Sequence, residues 1–134
     1  MQTEFKLKTN KREEIIDITE KIKEIVNKSK AEEGVCLIYV PHATAALTIN
    51  ENYDPKVCED FLEALRKIAP RGKWTHDKED GNGDAHIKSA IIGPGVTIPI
   101  KNSSLLLGRW QGIMFCEFDG PRDRKIIIQI IESK

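Results

Sequence analysis

The sequence predicts one α+β domain over residues 1–134, a mixed, largely antiparallel sheet with helices packed on one face. Two observations predict it. Strand and helix signals come in blocks, not in the regular alternation of a doubly wound sheet. No linker, repeat or low-complexity tract divides the chain, and 134 residues bury roughly two thirds of the surface exposed on unfolding.

The elements follow in order. Residues 3–9 alternate, with Phe5 and Leu7 on one side and Glu4, Lys6 and Lys8 on the other, the period-two signature of a half-buried strand. After a turn at Asn10, Lys11 and Arg12, residues 13–18 read as a second strand, and the two together as a hairpin. Asp17 or Thr19 can cap a helix running to about Lys30, with Ile18, Ile22, Ile25 and Val26 on one face and Gly34 just beyond. Residues 35–40 form an apolar run of strand length stopped by Pro41, and residues 45–49 a short strand. Asp54 and Pro55 start a helix as N-cap and first position. Val57, Phe61, Leu65 and Ile68 recur along it at helical spacing, and it ends before Pro70.

Residues 71–83 are polar and turn-rich, a long loop for a compact domain, and contain Trp74 and His76. Asp84 is read as the cap of a short helix through Ile91, closed by Gly93, Pro94 and Gly95. Strands at 96–101, 112–118 and 124–131 complete the order. In the last, Ile126, Ile128 and Ile130 face one way and Ile127 and Ile131 the other, so both faces need cover. Helices supply one cover, the second needs either sheet curvature or a neighbouring subunit, and a homo-oligomer is expected.

Composition removes several function classes. The 21 Lys and Arg balance 21 Asp and Glu, leaving no basic excess for general binding to nucleic acid or an anionic membrane, although a local patch stays compatible with neutrality. Cys36, Cys58 and Cys116 contain no Cys-x-x-Cys pair and read as buried apolar fillers. No apolar run reaches the ~18 to 20 residues of a membrane span, and residues 1–8 lack the apolar stretch of a signal peptide. A cytoplasmic protein is expected.

The three histidines carry the chemical reading. His42 follows a buried strand, His76 lies in the polar loop, and His86 takes the second position of the helix capped by Asp84. None falls on a periodic apolar position. Three imidazoles with a fourth position open would make a catalytic zinc site, and at a helix start the dipole would disfavour the imidazolium of His86. The competing reading for each is a solvated loop side chain. Glu117 and Asp119 share a strand face next to the Gly120, Pro121, Arg122 turn. Glu117 could serve as general base, and Arg122 or Arg124 as a phosphate clamp; a charged turn is the plainer alternative. Trp110 is expected in the core. Asn50, Glu51 and Asn52 form a further polar cluster, with helix capping as its plain reading.

The ordered segments Pro41-His42-Ala43-Thr44, Asn50-Glu51-Asn52, Asp54-Pro55, His76, Asp84-Ala85-His86, Pro99, Leu107-Gly108-x-Trp110-Gln111 and Glu117-x-Asp119-Gly120-Pro121-Arg122 together resemble the YjbQ family, also called the secondary thiamine-phosphate synthase family. The resemblance spans nearly the whole chain. The family commonly has a second threonine where this chain has Ala43. The resemblance implies an α+β domain assembled as a homotrimer, with a divalent metal, zinc by preference, held by His42, His76 and His86. It implies catalytic roles for Glu117, His42 and His86, and a small-molecule substrate, of a kind that includes phosphorylated compounds, contacted by Asn50, Gln111, Arg122 and Thr44. The activity implied is a weak transfer that joins a pyrimidine diphosphate to a thiazole phosphate and releases pyrophosphate. No Gly-rich phosphate loop or paired aspartates accompany it, so metal-activated water suits the histidines better. A non-enzymatic trimer binding a metal or a phosphorylated metabolite, and a purely structural oligomer, are the alternatives.

Overall fold

The computed structural model describes residues 1–134. Its elements are β1 (Gln2–Lys8), β2 (Glu14–Asp17), α1 (Thr19–Ser29), β3 (Gly34–Tyr39), β4 (Ala45–Glu51), α2 (Pro55–Ile68), a 3₁₀ turn (Thr75–Lys78), α3 (Gly83–Ile92), β5 (Gly95–Lys101), β6 (Ser104–Leu105), β7 (Gln111–Glu117) and β8 (Asp123–Glu132). The expected α+β order holds. Only β6, two residues long, and the 3₁₀ turn inside the long polar loop lacked a periodic signal, being too short to show one.

All pairings are antiparallel, and the strands divide into two sheets, β1-β8-β3-β5-β6 and β2-β7-β4. The inner faces of both sheets and the apolar stripe of α1 share one core, including Ile22, Ile38, Leu47, Ile113, Phe115 and Ile128. A second, smaller cluster of Ala46, Leu65, Ala85, Cys116 and Phe118 lies behind the three-stranded sheet, where α2 and α3 contribute to it. Central β7 is therefore covered on both faces, and Gly112 to Glu117 are all buried.

The expected N-terminal hairpin does not form. β1 pairs with β8 and β2 with β7, in different sheets. The 9–13 segment and the turn joining β7 to β8 run side by side as one corner. The Thr9 N–H donates to the Arg122 carbonyl and the Gly120 N–H to the Arg12 carbonyl, both at 2.9 Å. A side chain at position 120 would not fit, because a Cβ there would lie 2.3 Å from the Lys11 carbonyl oxygen and 2.8 Å from Glu117 Cγ. Long-range pairing thus overrides the local turn signal at Asn10 to Arg12.

Within this chain the isoleucine-rich last strand has one face covered and the other partly open. In β8, Arg124, Ile126, Ile128 and Ile130 are buried, whereas Ile127 is half-buried and Ile131 is 56 % exposed. The strand buried on both faces is β7.

Helix signals hold with two adjustments. Asp17 Oδ1 accepts from the Thr19 N–H, so Asp17 closes the start of α1, and Lys30 ends it in the left-handed region at φ 64°. Asp54 caps α2 as expected, accepting from the Lys56 N–H at 2.9 Å. In α3 the cap position belongs to Asn82, Asp84 lies inside the first turn, and His86 is the fourth helical residue, not the second. No helix is long and apolar enough to cross a membrane. Cys36 and Cys116 are buried as expected, while Cys58 is only partly covered.

Candidate functional site

Glu117 ends β7 fully buried. Its Oε1 accepts from Thr9 Oγ1 at 2.7 Å and from Arg124 Nε at 2.9 Å. Its Oε2 accepts from Arg124 Nη2 and from the Asp119 N–H. Arg124, 5 % exposed, also donates to Thr44 Oγ1 at 2.9 Å and to the Thr44 carbonyl. Four donors saturate this carboxylate. Glu117 and Thr44 are thus brought together as a closed ion-pair hub at the corner, and neither is presented to a reactant.

His42 borders the hub. β3 stops before Pro41, and His42 Nε2 accepts from the Lys125 N–H of β8 at 2.9 Å. The imidazole takes the place of the missing strand carbonyl. A backbone amide can only donate, so this ring nitrogen is unprotonated and the neutral ring carries its proton on Nδ1. Burial and the charge of Arg124 hold the His42 pKa below the ordinary imidazole value against the weaker pull of Glu117. With Nε2 occupied and Nδ1 protonated, His42 offers a hydrogen-bond donor and no free lone pair.

His76 and His86 do meet. Their rings pack edge to face, centroids 4.8 Å apart and planes at 84°. His76 is exposed and His86 partly so; His76 Nε2 lies 3.5 Å from Asp80 Oδ2. Asp77 builds the contact: Oδ2 accepts from the Trp74 N–H at 3.0 Å and Oδ1 from the Gly83 N–H at 2.7 Å. These two bonds hold the Asp77 carboxyl below its ordinary value. Gly83 permits the approach, since a Cβ there would come 2.6 Å from Trp74 Cβ. Trp74 in turn donates to the Pro70 carbonyl at 2.7 Å. Asn82, one turn before His86 on the same helix face, donates to Asp119 Oδ2 at 2.7 Å, and its buried Oδ1 has no donor.

The expected three-imidazole centre does not assemble within this chain. No three His, Cys, Asp or Glu side chains form a group that could hold a metal ion. Of the three histidines, the fold pairs His76 with His86 and ties His42 to β8.

Asn50 and Gln111 lie elsewhere. Asn50 pairs with Gly112, and Ala45 with Glu117, at opposite ends of the β4–β7 ladder, about 17 Å apart at the rise of an extended strand. Asn50 Oδ1 accepts from the Glu51 N–H, and Gln111 Oε1 from the Gly108 N–H. Trp110, expected in the core, is 50 % exposed and meets Tyr53 edge to face. Arg122 is engaged by Asp119, donating through Nε to the carbonyl and through Nη2 to the carboxylate, so the expected phosphate clamp is already closed on its own turn.

One polar cluster escaped the sequence reading. Lys88 is 1 % exposed. Its Nζ donates to Asp84 Oδ2 at 2.7 Å and Glu13 Oε2 at 2.8 Å, while Arg12 holds the other side of Asp84. Burial pushes the Asp84 carboxyl up, but the hydrogen bonds and charges of Arg12 and Lys88 outweigh it and leave its pKa lowered. The i, i+4 spacing of Asp84 and Lys88 was the one local signal.

The family described as UPF0047 protein YjbQ-like matches residues 3–133. A UPF0047 protein of Methanocaldococcus jannaschii is 48 % identical over 134 residues, covering all of this chain and 96 % of that protein. UPF0047 protein YugU of Bacillus subtilis is 42 % identical over 95 % of this chain and 96 % of its own. Among solved structures, a YbjQ-like protein of unknown function from Sulfolobus solfataricus superimposes with a TM-score of 0.96 at 32 % identity, over 99 % of this chain and 97 % of that one. A hypothetical protein from Aeropyrum pernix does so with a TM-score of 0.94 at 36 % identity, covering 99 % of both.

Proposed function

This chain belongs to the YjbQ-like UPF0047 family, and from that footing we propose that it is a cytoplasmic, metal-dependent small-molecule enzyme whose reacting centre is the His76–His86 pair. The observation that carries the reading is the contact of these two rings, from separate segments, at an open surface. Zinc–nitrogen bonds of about 2.0–2.1 Å put two imidazoles on one tetrahedral ion with centroids about 5 Å apart. The observed 4.8 Å suits that arrangement, and the unpartnered Asn82 Oδ1 is a further oxygen donor one turn away. A bound divalent ion would supply Lewis acidity and an activated water.

The chain's own residues divide the remaining work. Asp77 and Gly83 hold the 3₁₀ turn against α3 and so set the ring separation. Glu117 and Arg124 fix the corner beside which His42 stands as a neutral donor. Any protein ligand beyond His76, His86 and Asn82 would come from a second copy. The half-open outer face of the five-stranded sheet, with Leu37, Tyr39 and Ile131 37 %, 42 % and 56 % exposed, supports association as a homotrimer. Thiamine-phosphate synthase activity is, on this reading, a weak secondary transfer.

Zinc binding measured by equilibrium dialysis tests the reading. His76→Ala and His86→Ala should each weaken zinc at least tenfold, while His42→Asn should leave it unchanged. Equal zinc affinity in all four proteins would overturn it. A non-catalytic metal-binding trimer is the second reading, favoured by the saturation of Glu117, which leaves that carboxylate no free lone pair for proton transfer. Zinc binding without turnover of any phosphorylated or ester substrate would select it.

A further inference from the structure

A second polar site lies on the other side of α3. Lys11 and Arg12 from the 9–13 segment, Arg66 from α2, Arg71 from the loop beyond it and Lys88 from α3 line a depression of about 470 Å³. Glu13 and Asp84 are the two carboxylates in its wall, and no hydrophobic side chain takes part. Both carboxylates are already engaged. Glu13 accepts from Arg66 and Lys88 at 2.8 Å each, and Asp84 from Arg12 and Lys88. Lys11 and Arg71 are exposed and form no salt bridge. Five cations against two spent carboxylates, in a chain of zero net charge, concentrate positive charge at one place.

The internal ion pairs make this a built pocket and not a scatter of surface lysines. Lys88 is buried and fixed by two partners, and Arg12 is clamped by Asp84 at 3.0 and 3.3 Å. The free donors that remain point to an acceptor-rich guest. Guanidinium groups favour planar or tetrahedral oxyanions, which take paired N–H bonds. The volume is within the range of small-molecule sites and exceeds what one phosphate fills.

We propose that this depression is an oxyanion site for a multivalent phosphate-type group, separate from the histidine centre. Residues 84 and 88 share one helix face, and residue 86 projects about 200° away, across a helix about 10 Å wide. A group bound here is therefore not the one reacting at His86, and the site does not depend on the metal reading.

Calorimetric titration of the full chain with inorganic pyrophosphate and with phosphate tests the proposal. Pyrophosphate should bind more tightly than phosphate, and Lys11→Glu with Arg71→Glu should weaken it about a hundredfold, roughly tenfold for each charged donor lost. His86→Ala and Lys23→Glu should leave affinity unchanged. Lys11 and Arg71 hold no partner in the fold, so the double variant should melt with the wild type; Arg71→Met supplies a milder second test, with about a tenfold loss. Four results would overturn the proposal: no pyrophosphate binding at about 10 mM, wild-type affinity in the double or the Met variant, an equal loss in Lys23→Glu, or preference for a single-stranded oligonucleotide over pyrophosphate.

Discussion

At the scale of single residues, buried charge dominates. Removing one member of the Glu117–Arg124 pair leaves the other desolvated and unpaired, so Glu117→Ala or Arg124→Met should cost about 3–5 kcal/mol in chemical denaturation. Replacing both by apolar residues should recover part of that loss. Titration follows the same logic. His42 has a lowered pKa, so below the unfolded value of 6.5 the unfolded state binds more protons and stability falls as pH drops. Glu13, Asp17, Asp84 and Asp119 also have lowered pKa values, with burial opposed and outweighed by their hydrogen bonds and nearby cations. Their contribution is complete above about pH 4.5 and is lost as pH falls through the lower folded values. Melting temperature against pH should show two descending stages on acidification. His42→Asn, which keeps an acceptor for Lys125, should abolish the upper stage alone.

At the scale of elements, the junction of the 3₁₀ turn with α3 decides the histidine geometry. Gly83→Ala would drive a methyl into Trp74 Cβ and Asp77 Oδ1 at 2.6 and 2.9 Å. The turn must move, at about 1–3 kcal/mol, the usual cost of overpacking. Zinc affinity should then fall with stability, and the fluorescence of Trp74 should shift toward a solvated indole. A substitution at Gly72, where a Cβ meets nothing within 4 Å, tests the opposite case: only its positive φ of 89° should matter, so zinc affinity should persist. Helix starts obey local rules where the cap is a neighbour in sequence, as Asp54 does for α2. Asp84 broke the rule because Arg12 and Lys88, from distant and adjacent turns, offered its carboxylate stronger partners than a backbone amide.

At the scale of the molecule, the two sheets and α1 enclose one core, whereas the outer face of the five-stranded sheet stays half open. Pro99, Val35 and Ile131 form one row across it, and Gly95, Tyr39 and Ile127 another. A second copy covering those rows would remove Tyr39 and Ile131 from water. Light scattering at micromolar concentration should give a trimer, and Tyr39→Glu with Ile131→Glu should shift it to monomer without lowering secondary-structure content. A monomeric wild type would remove the shared-site version of the metal reading.

The sequence by itself determined the α+β class, the order of the elements and most of their ends. Those rest on short-range physics: alternation in β1 and β8, the stripe of α1, the Asp54 and Pro55 start. It also singled out His76 and His86 as residues outside any apolar pattern. Tertiary structure alone decided that β1 and β2 part into different sheets, that β7 is the strand buried on both sides, and that His42 completes a ladder. It also decided that Glu117 is sealed by Arg124 and that five cations gather beside α3. Apart from the Glu117–Arg124 pair, which closes across a single turn, each depends on partners distant in the chain, whose pairing energy outweighs local preference and leaves no mark on the spacing of neighbours.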